Sequence, residues 1–265
     1  MEKMILPDEY PYLFETHLHT YQGSACARCS AVDSAKAHKE AGYSGFIITE
    51  HNWGGNTIVR RHLSWKEWVH KFVRGYEEAY AWGKKNDFTV LWGYEAGYDG
   101  TEFLIYGLTP DFLLKNPEIR YASVKEQYRI VHDAGGIVVH AHPFREAYHI
   151  PDIRLYPEYV DAVEILNATH YNRESHRDLD PFYANKERYN RKALEYAQTY
   201  DFPMTAGSDT HSTYMIGGGM AFKTPLRNER HFVARLLSRE DYILTEGVNW
   251  YDPYGNIIAS VEYTN

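Results

Sequence analysis

With 265 residues, 44% of them hydrophobic and 15% aromatic, the chain has ample material for a buried core, and no window resembles a disordered or low-complexity tract. The formal charge of -8 argues against a protein that coats nucleic acid with a broad basic face, but it leaves room for a small anionic substrate held through cations. Two cysteines are too few for a disulfide framework, no run is long enough to span a bilayer, and residues 1–10 lack the apolar core of a signal peptide, so a cytoplasmic protein is expected.

Tyr12-Leu13-Phe14 opens a strand that runs into Glu15-Thr16-His17-Leu18-His19-Thr20. Side chains two apart on a strand share a face, so His17 and His19 aim at one point, as gripping a metal ion from two sides requires. An isolated His-x-His equally describes a polar strand end; the ligand reading gains from recurrence of the pattern further along. Cys26-Ala27-Arg28-Cys29 lacks both the strand-helix context of a redox pair and the second pair of a zinc knuckle. A helix is predicted over 30–41, capped by Ser30 and closed by Gly42. The apolar strand 45–49 ends in Glu50-His51.

A long helix is predicted over 64–85, where Trp65, Trp68, Val69, Phe72, Val73 and Tyr76 recur at helical spacing as core packing. Strand 88–94 ends in Glu95, and strand 102–106 is closed by Gly107. A helix over 123–134 is stopped by Gly135-Gly136, and the strand from Ile137 delivers His140-Ala141-His142-Pro143. Strand 161–166 ends at Asn167. After a polar region come a helix over 185–200, then strand 202–206 with Gly207-Ser208-Asp209-Thr210-His211 at its end. The glycine run 217–219, a helix over 228–237 and a strand-like tail complete the chain.

Strands alternating with helices predict an α/β domain with a largely parallel sheet. Polar residues at the ends of nearly every strand fit a TIM-type barrel, where the loops after the strands build the site. An open doubly wound sheet, the alternative, would gather ligands only near its switch point.

The strand ends collect His17 and His19, His51, Glu95, His140 and His142, and Asp209 and His211. Imidazole and carboxylate suit zinc, manganese and iron, and this set exceeds what one tetrahedral ion needs. A carboxylate such as Glu95 can bridge two ions, and a pair of metals about 3.5–4 Å apart can clamp the attacking and leaving oxygens of a displacement. His38, His62, His70, His132, His149, His170, His176 and His231 stand away from the strand ends and are expected on helix surfaces or loops. His170 and Arg173 are set apart because their loop opens on the site side.

The order His17-Leu18-His19-Thr20, Thr49-Glu50-His51, Gly93-Tyr94-Glu95, Ala141-His142-Pro143 and Gly207-Ser208-Asp209-Thr210-His211 resembles the PHP (polymerase and histidinol phosphatase) superfamily, stand-alone phosphoesterase type, over most of the chain. The resemblance implies a distorted (β/α)7 barrel and a phosphoesterase with two or three divalent ions (Zn, Mn or Fe). By position, His17, His19, Glu95 and Asp209 would hold one ion, Glu95 would also bridge to a second held by His142, and His51 and His211 would belong to a third. The chain departs from the family pattern at two places. Ser24, Ala25 and Cys26 stand where an Asp or His is usual, and Leu104 aligns with a frequent His. His140 compensates if its strand stays regular; otherwise it packs against the wall. Glu50, replacing a more usual aspartate, is expected to tune orientation only. Arg145 is the candidate for the substrate phosphate, with Arg28, Arg60 and Arg61 behind it.

The function these readings give is hydrolysis of a phosphate ester, most simply a small phosphomonoester such as histidinol phosphate or a nucleotide, through a metal-bound hydroxide. Glu95 and Asp209 act catalytically through the metals, and the general acid is left open. The expected organisation is a single domain over 1–265, with its core at about 12–225 and the C-terminal helix and strand tail packed on it. The expected partner is a small phosphorylated substrate, with no membrane and nucleic acid only as substrate. The rivals are a nuclease acting on oligonucleotide ends, an amidohydrolase, for which no lysine stands at a strand end, and a binding module that keeps metals for structure.

Overall fold

The computed structural model describes residues 3–148, 150–170 and 187–264. Its strands are β1 (Met4–Ile5), β2 (Tyr12–Glu15), β3 (Gly45–Ile48), β4 (Thr89–Trp92), β5 (Tyr94–Tyr98), β6 (Thr101–Tyr106), β7 (Ile137–Ala141), β8 (Ala162–Asn167), β9 (Met204–Gly207), β10 (Gly219–Phe222), β11 (Tyr242–Thr245), β12 (Asn249–Tyr251), β13 (Ile257–Ser260) and β14 (Glu262–Tyr263). Its helices are α1 (Ala31–Glu40), α2 (Trp65–Phe72), α3 (Arg74–Gly83), α4 (Asp111–Lys115), α5 (Val124–Asp133), α6 (Glu187–Thr199) and α7 (Glu229–Ser238).

Local chemistry sets most boundaries. Ser30 accepts from the Asp33 backbone N–H to start α1, and Gly42, at φ +94°, takes the left-handed conformation that ends it. Capping boxes open α2 (Ser64 with Glu67) and α5 (Ser123 with Glu126). The single helix expected over 64–85 is instead broken at Val73, which ends α2 and begins α3. The break brings Gly75 so close to the loop after β2 that a Cβ there would lie 2.8 Å from Thr20 Oγ1. Trp68, Val69, Phe72 and Val73 are buried in one apolar cluster, with Trp65 and Tyr76 packed against it.

The strands form a mixed α/β fold with a seven-stranded sheet, ordered β13-β12-β11-β10-β2-β3-β4, and a five-stranded sheet, ordered β5-β6-β7-β8-β9. The expected strand 88–94 is split at Gly93, where the chain passes from one sheet to the other. Pairing is parallel for β2-β3-β4 and β7-β8-β9, but β6 runs antiparallel to both β5 and β7. The cause is a two-residue hairpin, Asp99-Gly100, with φ +46° and +91° at its two positions and Tyr98 paired to Thr101. Such Asp-Gly turns favour adjacent antiparallel strands, so the sequence carried a hairpin signal that the reading of a mainly parallel sheet passed over.

Single parallel bridges join the sheets at Leu18–Thr210, just beyond the ends of β2 and β9, and at His51–Glu95, between the segment after β3 and the start of β5. Among the described residues the ladders do not close into a continuous ring. The largest apolar cluster draws on both sheets, from Phe14, Ile47 and Leu91 to Leu104, Val139, Ile165 and Ala206, and it extends to Phe232 and Leu236 of α7. This core lies below the strand ends that carry the polar residues. No helix among the described residues is long and apolar enough to cross a membrane.

Candidate metal centre

The two bridges mark where the sheets meet, and the buried polar residues gather there. Thr210 N–H donates to the His17 carbonyl (3.0 Å) and His19 N–H to the Thr210 carbonyl (2.9 Å), which locks the first histidine pair to the segment carrying Asp209. Glu15, buried beneath them, accepts from the backbone N–H groups of His17 (2.8 Å) and Ser208 (2.9 Å). Burial pushes its carboxyl up to about 7. Gly207 is required at the end of β9, because a Cβ there would lie 2.6 Å from the Cβ of His17. Asp209 (φ +53°) and His142 (φ +26°) both adopt left-handed backbone, which costs energy for residues other than glycine and turns their side chains inward.

Within this seam the ligand atoms converge. His17 Nε2 lies 3.3 Å from Glu95 Oε1 and 3.5 Å from Asp209 Oδ1. His19 Nε2 lies 3.2 Å from Asp209 Oδ1 and 3.6 Å from Glu95 Oε2. His142 Nε2 is 3.2 Å from Glu95 Oε1, and His51 Nδ1 is 2.6 Å from Glu95 Oε2. Four triads each bring one donor atom per residue within 4.8 Å of the others: His17, His19 and Asp209; His17, Glu95 and His142; His51, Glu95 and Glu102; and His19, His51 and His211.

These donors fit metal ions. Two ligand atoms, each ~2.1 Å from a tetrahedral ion, lie ~3.4 Å apart, the spacing seen around Glu95 and Asp209. His51 Nδ1 and Glu95 Oε2 are buried without a hydrogen-bond partner among the described residues, despite their close approach. Orphaned buried polar atoms are costly unless a charged group satisfies them.

Outer residues fix which ring nitrogen faces inward. His17 Nδ1 is 2.8 Å from Glu164 Oε1; a carboxylate only accepts, so Nδ1–H donates and the Nε2 lone pair points at the centre. Ser24 Oγ donates to Glu50 (2.6 Å) and can therefore accept from His19 Nδ1 (3.1 Å), again leaving Nε2 for the centre. Glu50, which also accepts from the Thr20 hydroxyl, is pushed up to about 7 by burial. His211 Nδ1–H donates to the Asp209 carbonyl (2.8 Å), so its Nε2 is the free donor atom.

Charge coupling is strong. Burial raises the carboxyl groups of Glu95 and Asp209, but nearby imidazoles outweigh it and hold both well below the usual carboxylate range: His51 and His17 act on Glu95, His17 and His211 on Asp209. Burial likewise opposes the His17 imidazolium, yet Glu164, Asp209 and Glu95 together lift it well above the ordinary histidine value. Burial and the neighbouring His51 and His211 keep His19 well below that value. Burial also raises the Cys26 thiol, but His211 and His51 overcome this and bring it down to about 6.

Glu102, Glu164, Glu15 and Ser24 are functional candidates that sequence reasoning missed or misplaced. Glu102 approaches His51 (3.8 Å) and His142 (3.7 Å) and pairs with the Arg145 guanidinium at the rim. It shares a face of β6 with Leu104, which is buried in the apolar core where the family pattern suggested a histidine. The available signals were a glutamate inside apolar β8 for Glu164, and the Asp-Gly hairpin for Glu102.

His140 lies apart from the metal-ligand triads. The left-handed His142 backbone breaks the alternation that would have put both rings on one face, and His140 stacks on Phe103 (5.1 Å) instead. His38, expected at a helix surface, is fully buried, with its Nε2 4.0 Å from Glu15 Oε2. His132 does sit at the surface, 2.9 Å from Asp161. His149, Arg173, His176 and the His170 side chain lie outside the described residues.

Residues 187–240, spanning α6 to just beyond α7 and including Asp209 and His211, match the PHP-associated family model. The fold is similar over 92% of the chain to 68% of a two-domain protein from Bacteroides vulgatus containing a predicted PHP-like metal-dependent phosphoesterase, with a TM-score of 0.64 at 13% identity. The family match is confined to that C-terminal segment, and the structural likeness shows a shared fold over most of the chain. A further similar structure, PsfC from Pseudomonas syringae, gives a TM-score of 0.50 at 16% identity over 81% of this chain and 82% of that one. A stretch of 94 residues, 33% of the chain, is 31% identical to an uncharacterized protein of Methanocaldococcus jannaschii, and spans about a third (34%) of that relative's length.

Proposed function

We propose that the chain is a metal-dependent hydrolase of phosphate esters, with a small phosphomonoester, histidinol phosphate-like or a nucleotide, as its substrate. One observation carries the reading: the two oxygens of Glu95 serve different imidazoles. Oε1 faces His17 and His142 at 3.3 and 3.2 Å, while Oε2 faces His51 at 2.6 Å. A buried carboxylate shared in this way would be able to hold two ions at once, and the likeness to a predicted PHP-like metal-dependent phosphoesterase supports the same chemistry. Zinc, manganese or iron suits the imidazole and carboxylate donors.

Bound divalent ions supply Lewis-acid charge and activate water for attack on phosphorus. The chain's own residues hold and orient. His17, His19, Glu95 and Asp209 would hold one ion; His142, with Glu95, a second; His51 and His211 a third. Glu164 and Ser24 fix the imidazole tautomers, and buried β-sheet on both sides excludes bulk water. Arg145, at the rim against Glu102, is positioned to exchange that carboxylate for a phosphate oxygen. The bridges at Leu18–Thr210 and His51–Glu95 support reading the two sheets as one distorted (β/α)7 barrel whose seam lies at the centre.

The test is turnover of phosphorylated metabolites, nucleotides and short oligonucleotides by protein loaded with Mn²⁺, Zn²⁺ or Fe²⁺. Metal-dependent release of phosphate, abolished in Asp209→Ala, is the expected result. No hydrolysis across the panel at full metal occupancy overturns the proposal, and preference for oligonucleotide ends replaces the phosphomonoesterase with a nuclease.

A further inference from the structure

The hairpin of β5 and β6 carries a second acid to the centre. Leu104 pairs with Glu95 and Glu102 with Gly97, so these four positions share one face of the hairpin. On its other side Glu102 pairs with Ala141, the residue before His142. Because β6 runs antiparallel to both neighbours, stepping back from Leu104 to Glu102 leads out of the apolar core and up to the candidate ligand atoms. Gly97 leaves the position opposite Glu102 without a side chain. A Cβ there would lie 2.8 Å from Gly55 Cα, in the loop that follows His51.

The two oxygens of Glu102 are used differently. Oε2 pairs with the Arg145 guanidinium, whereas Oε1 is turned to His51, 3.8 Å from its Nδ1. That nitrogen belongs to a side chain buried on all but 8% of its surface, and it has no hydrogen-bond partner among the described residues. Glu95 Oε2 lies 2.6 Å from it and is orphaned in the same way. One donor atom each from His51, Glu95 and Glu102 lies within 4.8 Å of the other two. A single ring N–H can serve only one of two carboxylates facing it, whereas a divalent ion takes all three groups as ligands. We propose that Glu102, through Oε1, is a ligand of the ion that His51 holds beside Glu95, with Arg145 orienting it through Oε2. The inference rests on the metal-dependent reading above. With two carboxylates to one imidazole, this is the most oxygen-rich of the four triads. Carboxylate suits manganese and imidazole suits zinc, so Glu102 raises the preference of that ion's pocket for manganese over zinc.

Calorimetric titration of the full chain with Mn²⁺ and with Zn²⁺ reads this without turnover. Glu102→Gln should lose at least about 10-fold in manganese affinity at one site, since even an outer partner is worth roughly 10–100-fold. Glu102→His returns a donor of the other kind and should recover zinc binding but not manganese. Arg145→Gln breaks the same ion pair yet should keep full stoichiometry for both metals, because the ligand itself remains. Unchanged manganese affinity in Glu102→Gln, or equal losses in Glu102→Gln and Arg145→Gln, overturns the assignment. Crystals of the unaltered protein soaked in Zn²⁺ decide the matter even where a variant misfolds. Anomalous scattering at the zinc edge should place an ion about 2.2 Å from a Glu102 oxygen; an ion bound by His51 and Glu95 but not by Glu102 refutes the idea. Metal contact at Glu102 with no ester hydrolysed keeps the ligand and loses the hydrolase. Metal-dependent hydrolysis with manganese affinity unchanged in Glu102→Gln does the reverse.

Discussion

The seam between the sheets and the packed flanks both bury histidines, and they treat them differently. On the flank, His38 lies against the rings of Tyr43 (5.1 Å) and Phe46 (5.6 Å), and burial brings it down to about 4. His140, between Phe103 and Tyr196, is brought down to about 3, also chiefly by burial. In the seam, His17 is just as buried, but three carboxylates face it and reverse the outcome. Burial alone makes an imidazole neutral and inert; convergent carboxylates make it part of a charged constellation. The seven-stranded sheet brings His17, His19 and His51, and the five-stranded sheet brings Glu95, Glu102, Glu164 and His142, so the centre exists only where the sheets meet.

The largest effect is expected from removing the shared carboxylate. Glu95→Gln leaves the shape almost unchanged but halves the donor character of a residue that serves His17, His142 and His51. Turnover and metal affinity should fall more than about 100-fold, because loss of even an outer partner costs roughly 10–100-fold. Near-normal metal content in Glu95→Gln, read by elemental analysis, would dissolve the contrast between seam and flank.

Glu164→Gln sharpens the comparison one layer out. Its amide can rotate to offer His17 Nδ1 an acceptor but supplies no charge, so metal affinity should drop by roughly 10–100-fold with little change in fold. Calorimetric titration with zinc reads this directly; an unchanged affinity would mean that Glu164 orients nothing.

The smallest effect on the centre belongs to the flank. The folded His38 value of about 4 lies below the ordinary 6.5, so between those limits the unfolded chain binds more protons than the folded one. Its contribution to stability is therefore present above 6.5 and is lost as pH falls towards 4. His38→Leu removes that dependence, and the stability difference from the unaltered protein should move by about 3 kcal/mol in the variant's favour between pH 7 and 4. Denaturant melts across that range check it, and a pH-independent difference would show that His38 is not the group refusing the proton. Metal-dependent turnover at neutral pH should be retained.

The convergence of polar side chains beyond strand C-termini was legible because period-two spacing and apolar runs announce themselves: His17 with His19, and Asp209 with His211, could be read from a few residues each. Boundaries set by capping side chains were legible too, as at Ser30 and Ser123. What escaped depended on strand direction or burial. Glu102 reaches the centre only because the Asp99-Gly100 hairpin reverses β6, so an assumption of parallel strands put its end of the strand on the wrong side. Glu164 looked like an ordinary strand residue, although a carboxylate in an apolar strand needs a partner. His142 defied the alternation rule through a backbone angle that no spacing pattern reveals.

One glycine has leverage out of proportion to its size. The chain changes sheets at Gly93, two residues before the shared carboxylate, where a methyl group would lie 2.8 Å from the Ile105 carbonyl. Trp92, immediately before it, donates its backbone N–H to Glu229 at the start of α7, so the pivot is anchored by the segment that matches the PHP-associated family. A disturbance on the outer face, far from any imidazole, thus has a short mechanical path to the spacing of the candidate ligand atoms.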